Sequence, residues 1–438
     1  MGTSNTRYVK FTIVYGRVDV SGKVREYLRS ASYTDAASGD SDKVSFDMED
    51  RDRKWIGSWK PIKGDRMALT IRTYNWREEG DDYEFYCGNF LIDDLSGSGP
   101  PRRLSIGGVA VPQDNNFRAQ KKTHTWAATS LQTIAADIAA LAGVNLVFDA
   151  ADIQIDSIEQ SGETDCGFLS SLCEAYGYAM KVHSEKLIIY DVEAYEQKPS
   201  IKTIRCEEGT REVISYSFND TIMGSYTGAN ISFQDPNNDE EYTVHVGTDE
   251  RLLEINVTAD NLADAERKGI AALNMANRET TVMTVTMMAD PGLAASCCVD
   301  IVGLNDYDGK YFVDKIVHSA SGSGNYTMAL TLHRVIPWIK TVSIQAVEAA
   351  AAAESDSIQY TVKSGDTLWD IAKQYLGSGV QYVQIYNDNA SVIEAEAKKR
   401  GKASSDNGHW IFPGTVLTIN RTVSEMAETG NRTGRVSA

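Results

Sequence analysis

Between Tyr8 and Asp94, apolar and polar residues alternate in short runs such as Met67 to Tyr74 and Tyr83 to Ile92, and clusters of Gly and Asp separate the runs. A period of two with turn residues between the runs predicts an antiparallel sheet or small barrel over residues 1–110. After Gly97-Ser-Gly-Pro-Pro101 the period lengthens. Leu131, Ile134, Ala135, Ile138 and Leu141 fall on one helical face, with Ser130 or Thr129 as the cap and Gly143 as the stop. A second helix, from about Asp165 to Tyr176, groups Phe168, Leu169, Leu172 and Tyr176, and Lys186 to Asp191 follows as a strand. Residues 111–200 therefore read as an α/β domain.

Strands return over 201–340, interrupted by one helix over roughly Asn261 to Asn277. Thr281 to Met288 alternates Met283, Val285 and Met287 with Thr284 and Thr286. Tyr311 to His318 pairs with Tyr326 to Val335 across a Ser-Gly-Ser-Gly turn. The Ala- and Glu-rich tract 341–357 predicts a semi-rigid helical spacer. Ser357 to Ala372 then compresses a strand, a Ser-Gly turn and a capped amphipathic helix into a short stretch. Thr367 and Asp370 have the spacing of a capping box, and Leu368, Ile371, Ala372 and Tyr375 share a face. Val383 to Asn387 reads as a second helix, Ile393 to Gly401 as an extra helical turn or two inside an insertion from Ala390 to Trp410, and Ile411 to Ile419 as a closing strand. Residues 422–438 form a polar tail. The expected fold class is α+β and multidomain: two β-barrel-like domains (1–110 and 201–340) flank an α/β domain (111–200), and a βααβ module occupies 358–421.

The 438 residues carry 61 acidic and 43 basic side chains, a formal net charge of −18, and 50 of the acids with 34 of the bases precede Thr341. Such a balance argues against direct nucleic-acid binding, which needs a basic face. The six cysteines, at 87, 166, 173, 206, 297 and 298, form no Cys-x-x-Cys pair and no His-spaced metal pattern. They read as reduced, mostly buried apolar residues, from which assembly in the cytosol is expected. Apolar runs near ten residues, as in Ile138 to Phe148, are too short to span a bilayer, and no secretory segment is expected at the polar N-terminus.

Candidate chemistry is sparse. Cys166 sits at a predicted helix start, where a thiolate would be favoured, but His183 follows after only seventeen residues and His245 falls in the next domain. Cys166 therefore reads as packing, and no catalytic residue is expected. His318 and His333 lie on adjacent predicted strands without a third ligand, so no metal site is expected either. No cofactor motif is present. The acidic residues are scattered through predicted turns and offer no carboxylate pair for glycoside hydrolysis.

The segment from Ser357 to Ala372, together with Val383 to Asn387 and Ile411 to Ile419, resembles a LysM domain, the small βααβ module that binds N-acetylglucosamine-containing glycans. The resemblance implies a groove built by Gly365, Asp366, Thr367 and Leu368 on one side and Ile411, Phe412 and Pro413 on the other, with the Ala390 to Trp410 insertion lying where that groove opens. Three further stretches resemble the phage late control D family of tail hubs in contractile tails, tailocins and related injection machines. They are Thr125-Trp126 with the helix to Leu141 and Val144 to Asp149; Gln160 to Asp165 with Phe168-Leu169, Tyr176 to Tyr178 and Lys186 to Asp191; and Asp290 to Leu293, Val299 to Gly303, Asp308 to Val313, Val317-His318 and Tyr326 to Val335. That resemblance implies a homotrimer whose two barrels per chain adapt a sixfold tail tube protein to a threefold spike protein among other baseplate proteins. The LysM is then expected to tether a baseplate partner or to bind peptidoglycan. The alternative is a LysM-containing cell-wall hydrolase of the Cys/His peptidase type.

Overall fold

The computed structural model describes residues 6–39, 41–110, 116–234, 241–321, 325–340 and 356–421. Most of the predicted spacer (341–355) and the polar tail (422–438) lie outside the described residues. The chain divides into two compact units, Met1–Ser225 with Ala271–Trp338, and Tyr226–Ile270 with Ile339–Ala438.

The first unit is built on one sheet of 13 strands. Its path runs Val213–Asp220, Thr281–Met288, Tyr326–Arg334, Gly309–Ser321, Leu28–Ala36, Lys43–Glu49, Arg103–Val109, Tyr83–Ser98, Arg66–Tyr74, Tyr8–Tyr15 and Val18–Asp19. Lys202–Arg205 and Cys298–Val302 branch from it. The two predicted β domains are thus not separate barrels, and no closed barrel occurs among the described residues. They join where Leu28–Ala36 pairs antiparallel with Gly309–Ser321, setting Ala31 opposite Ala320 and Tyr33 opposite His318. Each lobe has an edge strand whose free backbone groups need partners, and each satisfies the other.

Two cores persist within the shared sheet. Tyr33, Phe46, Met48, Leu69 and Phe90 fill the N-terminal lobe, and Met283, Val285, Met287, Val313 and Leu330 fill the other. In both, the alternation read from sequence is the burial pattern: in Arg66–Tyr74 every second residue is buried.

The helices expected within 111–200 form where their periodicity predicts. Helix Leu131–Ala142 starts at Ser130, whose hydroxyl accepts from the Thr133 amide, and stops at Gly143, which takes a left-handed φ of 69°. Leu141, expected on the packed face, is instead 64% exposed; the buried face is Leu131, Ile134, Ala135 and Ile138. Helix Asp165–Ala175 is capped by Thr164. Lys186–Asp191 pairs with Tyr178–His183 and, in parallel, with Asn145–Asp149.

A buried charge cluster fixes this domain to the sheet. Lys181 ion-pairs with Asp35 and, at 3.5 Å, with Asp42, and His183 Nδ1 lies 2.7 Å from the same Asp42 carboxylate. Tyr33 and the Ala36 amide also donate to Asp42, so this fully buried carboxylate is saturated with partners.

The second unit holds a three-stranded sheet of Gly228–Gln234, Glu241–Gly247 and Leu252–Asn256, residues 262–270 of the helix Leu262–Asn277, and the βααβ module. Gly269 lets that helix approach the sheet closely: a Cβ there would lie 2.0 Å from Ile231 Cδ1.

Candidate functional site

In the module, Asp356–Thr361 pairs antiparallel with Val416–Arg421, and helices Leu368–Tyr375 and Tyr382–Lys399 cover the pair. Thr367 caps the first helix as its spacing predicts: its hydroxyl accepts from the Asp370 amide at 3.1 Å and donates to the Asp370 carboxylate at 2.6 Å. Leu368, Ile371 and Ala372 are buried, and Tyr375 packs against the same core. The second helix is one continuous element through the first half of the insertion, in place of two short ones, and Gly401 with φ 80° follows its end. Asn389 explains the continuity, since it is buried and ties the helix to the closing strand. Its Nδ2 donates to the Thr418 carbonyl at 2.8 Å and its Oδ1 accepts from the Thr418 amide at 2.7 Å.

The predicted groove residues lie on two loops of the module. Gly365, at φ 91°, and Thr367 are exposed, whereas Leu368 is buried beneath them. Asp366 closes the turn. It accepts from the Lys363 amide and the Tyr360 hydroxyl, each at 2.7 Å, and those bonds hold its carboxyl below the usual range. On the facing side Ile411 and Phe412 are half-buried and Pro413 is exposed. The closing strand begins only at Val416, so residues 411–415 form a turn and not strand.

The second half of the insertion rebuilds the wall next to these residues. Glu394 accepts from the Tyr386 hydroxyl at 3.0 Å and from the amide and hydroxyl of Ser405, which fixes the loop after the helix. From that loop the Arg400 guanidinium lies 4.8 Å from the Phe412 ring centre, and the Lys402 ammonium 4.0 Å from that of Trp410. Gly408 sits tightly against Leu368 and Tyr386. Trp410, 38% exposed, and His409 were missed by sequence reasoning, because the insertion follows no period from which a facing side chain is readable.

Another face of the module is occupied by its own chain. The Tyr382 hydroxyl donates to Glu266 at 2.8 Å, Arg267 pairs with Asp406 at 2.5 Å, and Leu262 packs on the module core. Burial holds the Glu266 carboxyl above its usual range although the Tyr382 bond opposes it.

The remaining candidates are structural. Burial raises the Cys166 thiol, with Arg118 opposing weakly, and no histidine bonds to it among the described residues. His318 and His333 lie on paired strands but not opposite each other, since their partners are Met328 and Phe312. His318 bonds to the Tyr326 hydroxyl at 2.8 Å and stacks on Tyr33. His333 contacts Glu196 and Asp314 at 3.0 and 2.8 Å.

Known proteins resemble two parts of the chain. The LysM domain family matches residues 360–395. A probable baseplate hub protein of Escherichia phage P2 is 25% identical over 217 residues, 48% of this chain and 52% of its own length. An uncharacterized protein, YqbP, of Bacillus subtilis (strain 168) is 40% identical over 60 residues, 14% of this chain and 26% of its own length. Among solved structures, a tail protein from Neisseria meningitidis MC58 superposes with a TM-score of 0.58 at 13% identity, covering 76% of this chain and 99% of that one. This chain is similar to phage baseplate-hub and tail proteins, and its C-terminal module matches the LysM domain family. A similar fold occurs in the 43 kDa tail protein of prophage MuSo2 from Shewanella oneidensis, with a TM-score of 0.53 at 12% identity over 74% of this chain and 96% of that one. The chain spans about half or less of the length of the curated relatives it matches.

Proposed function

We propose that this chain is a structural hub of a phage tail, tailocin or related injection particle, assembled in the bacterial cytoplasm as a homotrimer between a sixfold tube and a threefold spike. The observation that carries the reading is the pair of β lobes with separate cores on one continuous sheet. Three such chains present six lobes on one side and keep threefold symmetry on the other, which closes the ring and leaves fewer sheet edges exposed. The described residues contain no cluster of His, Cys, Asp and Glu that would hold a metal and no helix long and apolar enough to cross a membrane. Electron microscopy of native particles labelled through a tag on this chain is the test: label at the tube–spike junction supports the hub reading, and label confined elsewhere rejects it.

For the LysM we favour a tether. Arg400 and Lys402 crowd the wall beside the expected groove, and a second face already engages Glu266 and Arg267. Deleting 356–421 should then disturb baseplate completion by lowering the effective concentration of a docked partner. The competing reading rests on the exposed Gly365 and Thr367. If the full chain pellets with purified peptidoglycan, loses this with Thr367→Arg, and particles lacking the domain assemble normally, the tether is wrong.

A further inference from the structure

The segment from Arg51 to Lys63 is an exception to the acidity of the chain. It holds five basic residues, Arg51, Arg53, Lys54, Lys60 and Lys63, and one acid, Asp52, within a protein of net charge −18. Its aromatic residues build a box: the Tyr27, Trp55 and Trp59 rings meet edge to face with centres 5.7–6.1 Å apart. Cations cover the box, with Arg51 5.0 Å from the Tyr27 ring centre and Lys54 4.8 Å from that of Trp59.

Beneath the segment lies a cavity of about 280 Å³ lined by apolar residues of the lobe core, among them Met48, Trp55 and Ile106, with Lys23, Ser58 and Lys60 also on its lining. Trp55 is 6% exposed, yet its buried indole N–H has no hydrogen-bond partner. A buried donor without an acceptor is uncommon in a packed lobe, and here it belongs to a residue of the cavity wall. Ile56 and Ile62 on the same segment are 51% and 66% exposed. Three nearby acids already have partners: Asp52 accepts from Tyr27 and pairs with Lys54, Asp65 accepts from Tyr15, and Asp50 accepts from the Trp55 amide through Oδ1. Arg53, Lys60 and Lys63 have no ion pair among the described residues.

We propose that this site docks an acidic segment of another protein, placing a bulky apolar side chain in the cavity. A backbone carbonyl of the guest accepts from Trp55, and its flanking carboxylates meet Arg53, Lys60 and Lys63. Charge complementarity sets the sign of the partner, and the cavity sets its apolar anchor. A nucleic-acid strand would use the cations but leave the apolar cavity empty, since bases need several polar partners. The inference concerns the N-terminal lobe alone and stands whether or not the chain trimerises.

The test uses the full chain and synthetic hexapeptides, with binding read by tryptophan fluorescence and calorimetry. The probe Asp-Glu-Leu-Phe-Glu-Asp should bind saturably. A version with lysines for the acids, or with alanines for Leu-Phe, should bind about tenfold or more weakly. Lys60→Glu combined with Lys63→Glu, both exposed to solvent, should lose about tenfold in affinity with an unchanged melting temperature. Absence of binding at millimolar peptide overturns the proposal. So does equal binding of the alanine version or of an oligothymidylate, because either result reduces the site to a bare cationic patch.

Discussion

The sheet unit and the LysM domain place their polar chemistry on opposite sides of the surface. In the sheet unit, charged side chains meet under cover: Asp42 is fully buried among Lys181, His183 and Tyr33, and Glu196 lies with His333, Arg278 and Trp338. In the LysM domain the core is mainly apolar, with the buried Asn389 an exception, and Gly365, Thr367 and Trp410 are exposed on loops. The first arrangement positions the α/β elements against the sheet. The second leaves backbone and aromatic faces open to a partner. The same residue types thus pair under cover in one region and face solvent in the other.

The largest expected effect comes from breaking the buried cluster. Lys181→Met leaves Asp35 and Asp42 uncompensated in the interior, so the sheet unit should lose about 3–5 kcal/mol, measured by urea unfolding. A loss below 1 kcal/mol would mean that the cluster does not hold the α/β domain.

The two histidines of the sheet sharpen the contrast through pH. Burial pushes His318 down to about 4, so it stays neutral in the fold. Its contribution is therefore complete above the unfolded value near 6.5 and declines as pH falls towards 4, by roughly 3 kcal/mol. His333 behaves in the opposite sense. Burial disfavours its charge, but hydrogen bonds to Asp314 and Glu196 outweigh burial and raise it, so its contribution is present below 6.5 and is lost as pH rises through the folded value. Thermal unfolding between pH 6.5 and 4 should show a shallower acid decline for His318→Gln than for the parent. An unchanged slope would remove His318 as the acid-sensitive group.

A smaller effect is expected in the LysM domain. At Gly408 an added Cβ would lie 2.4 Å from Leu368 Cδ1, and the backbone φ is 87°. Gly408→Ala should therefore destabilise the LysM by about 1–3 kcal/mol and leave the sheet unit untouched. A loss shared by both transitions in calorimetry would show that the two regions do not melt independently.

How far these regions were legible in sequence follows from the range of the interactions. Thr281–Met288 and Lys186–Asp191 were readable to the residue, and Ser130, Gly143 and Thr367 marked helix ends, because alternation and caps are local rules. The pairing of Leu28–Ala36 with Gly309–Ser321 joins strands almost 290 residues apart, and no local pattern specifies it; hence two barrels were expected where one sheet exists. Leu141 fits the helical period but falls at the margin of the apolar stripe, where period alone does not decide burial. In the LysM, the groove loops were found through family resemblance. Asp366 serves as the turn's own acceptor, and Trp410 with Lys402 is visible only in three dimensions.

The central claim is that two β lobes per chain make a threefold hub, and light scattering after size exclusion at micromolar concentration tests it most directly. The 48.1 kDa chain, alone or mixed with the tube and spike proteins of its own particle, should form a homotrimer of roughly 144 kDa before those partners add their mass. A chain that remains at its monomer mass in every mixture would contradict the account.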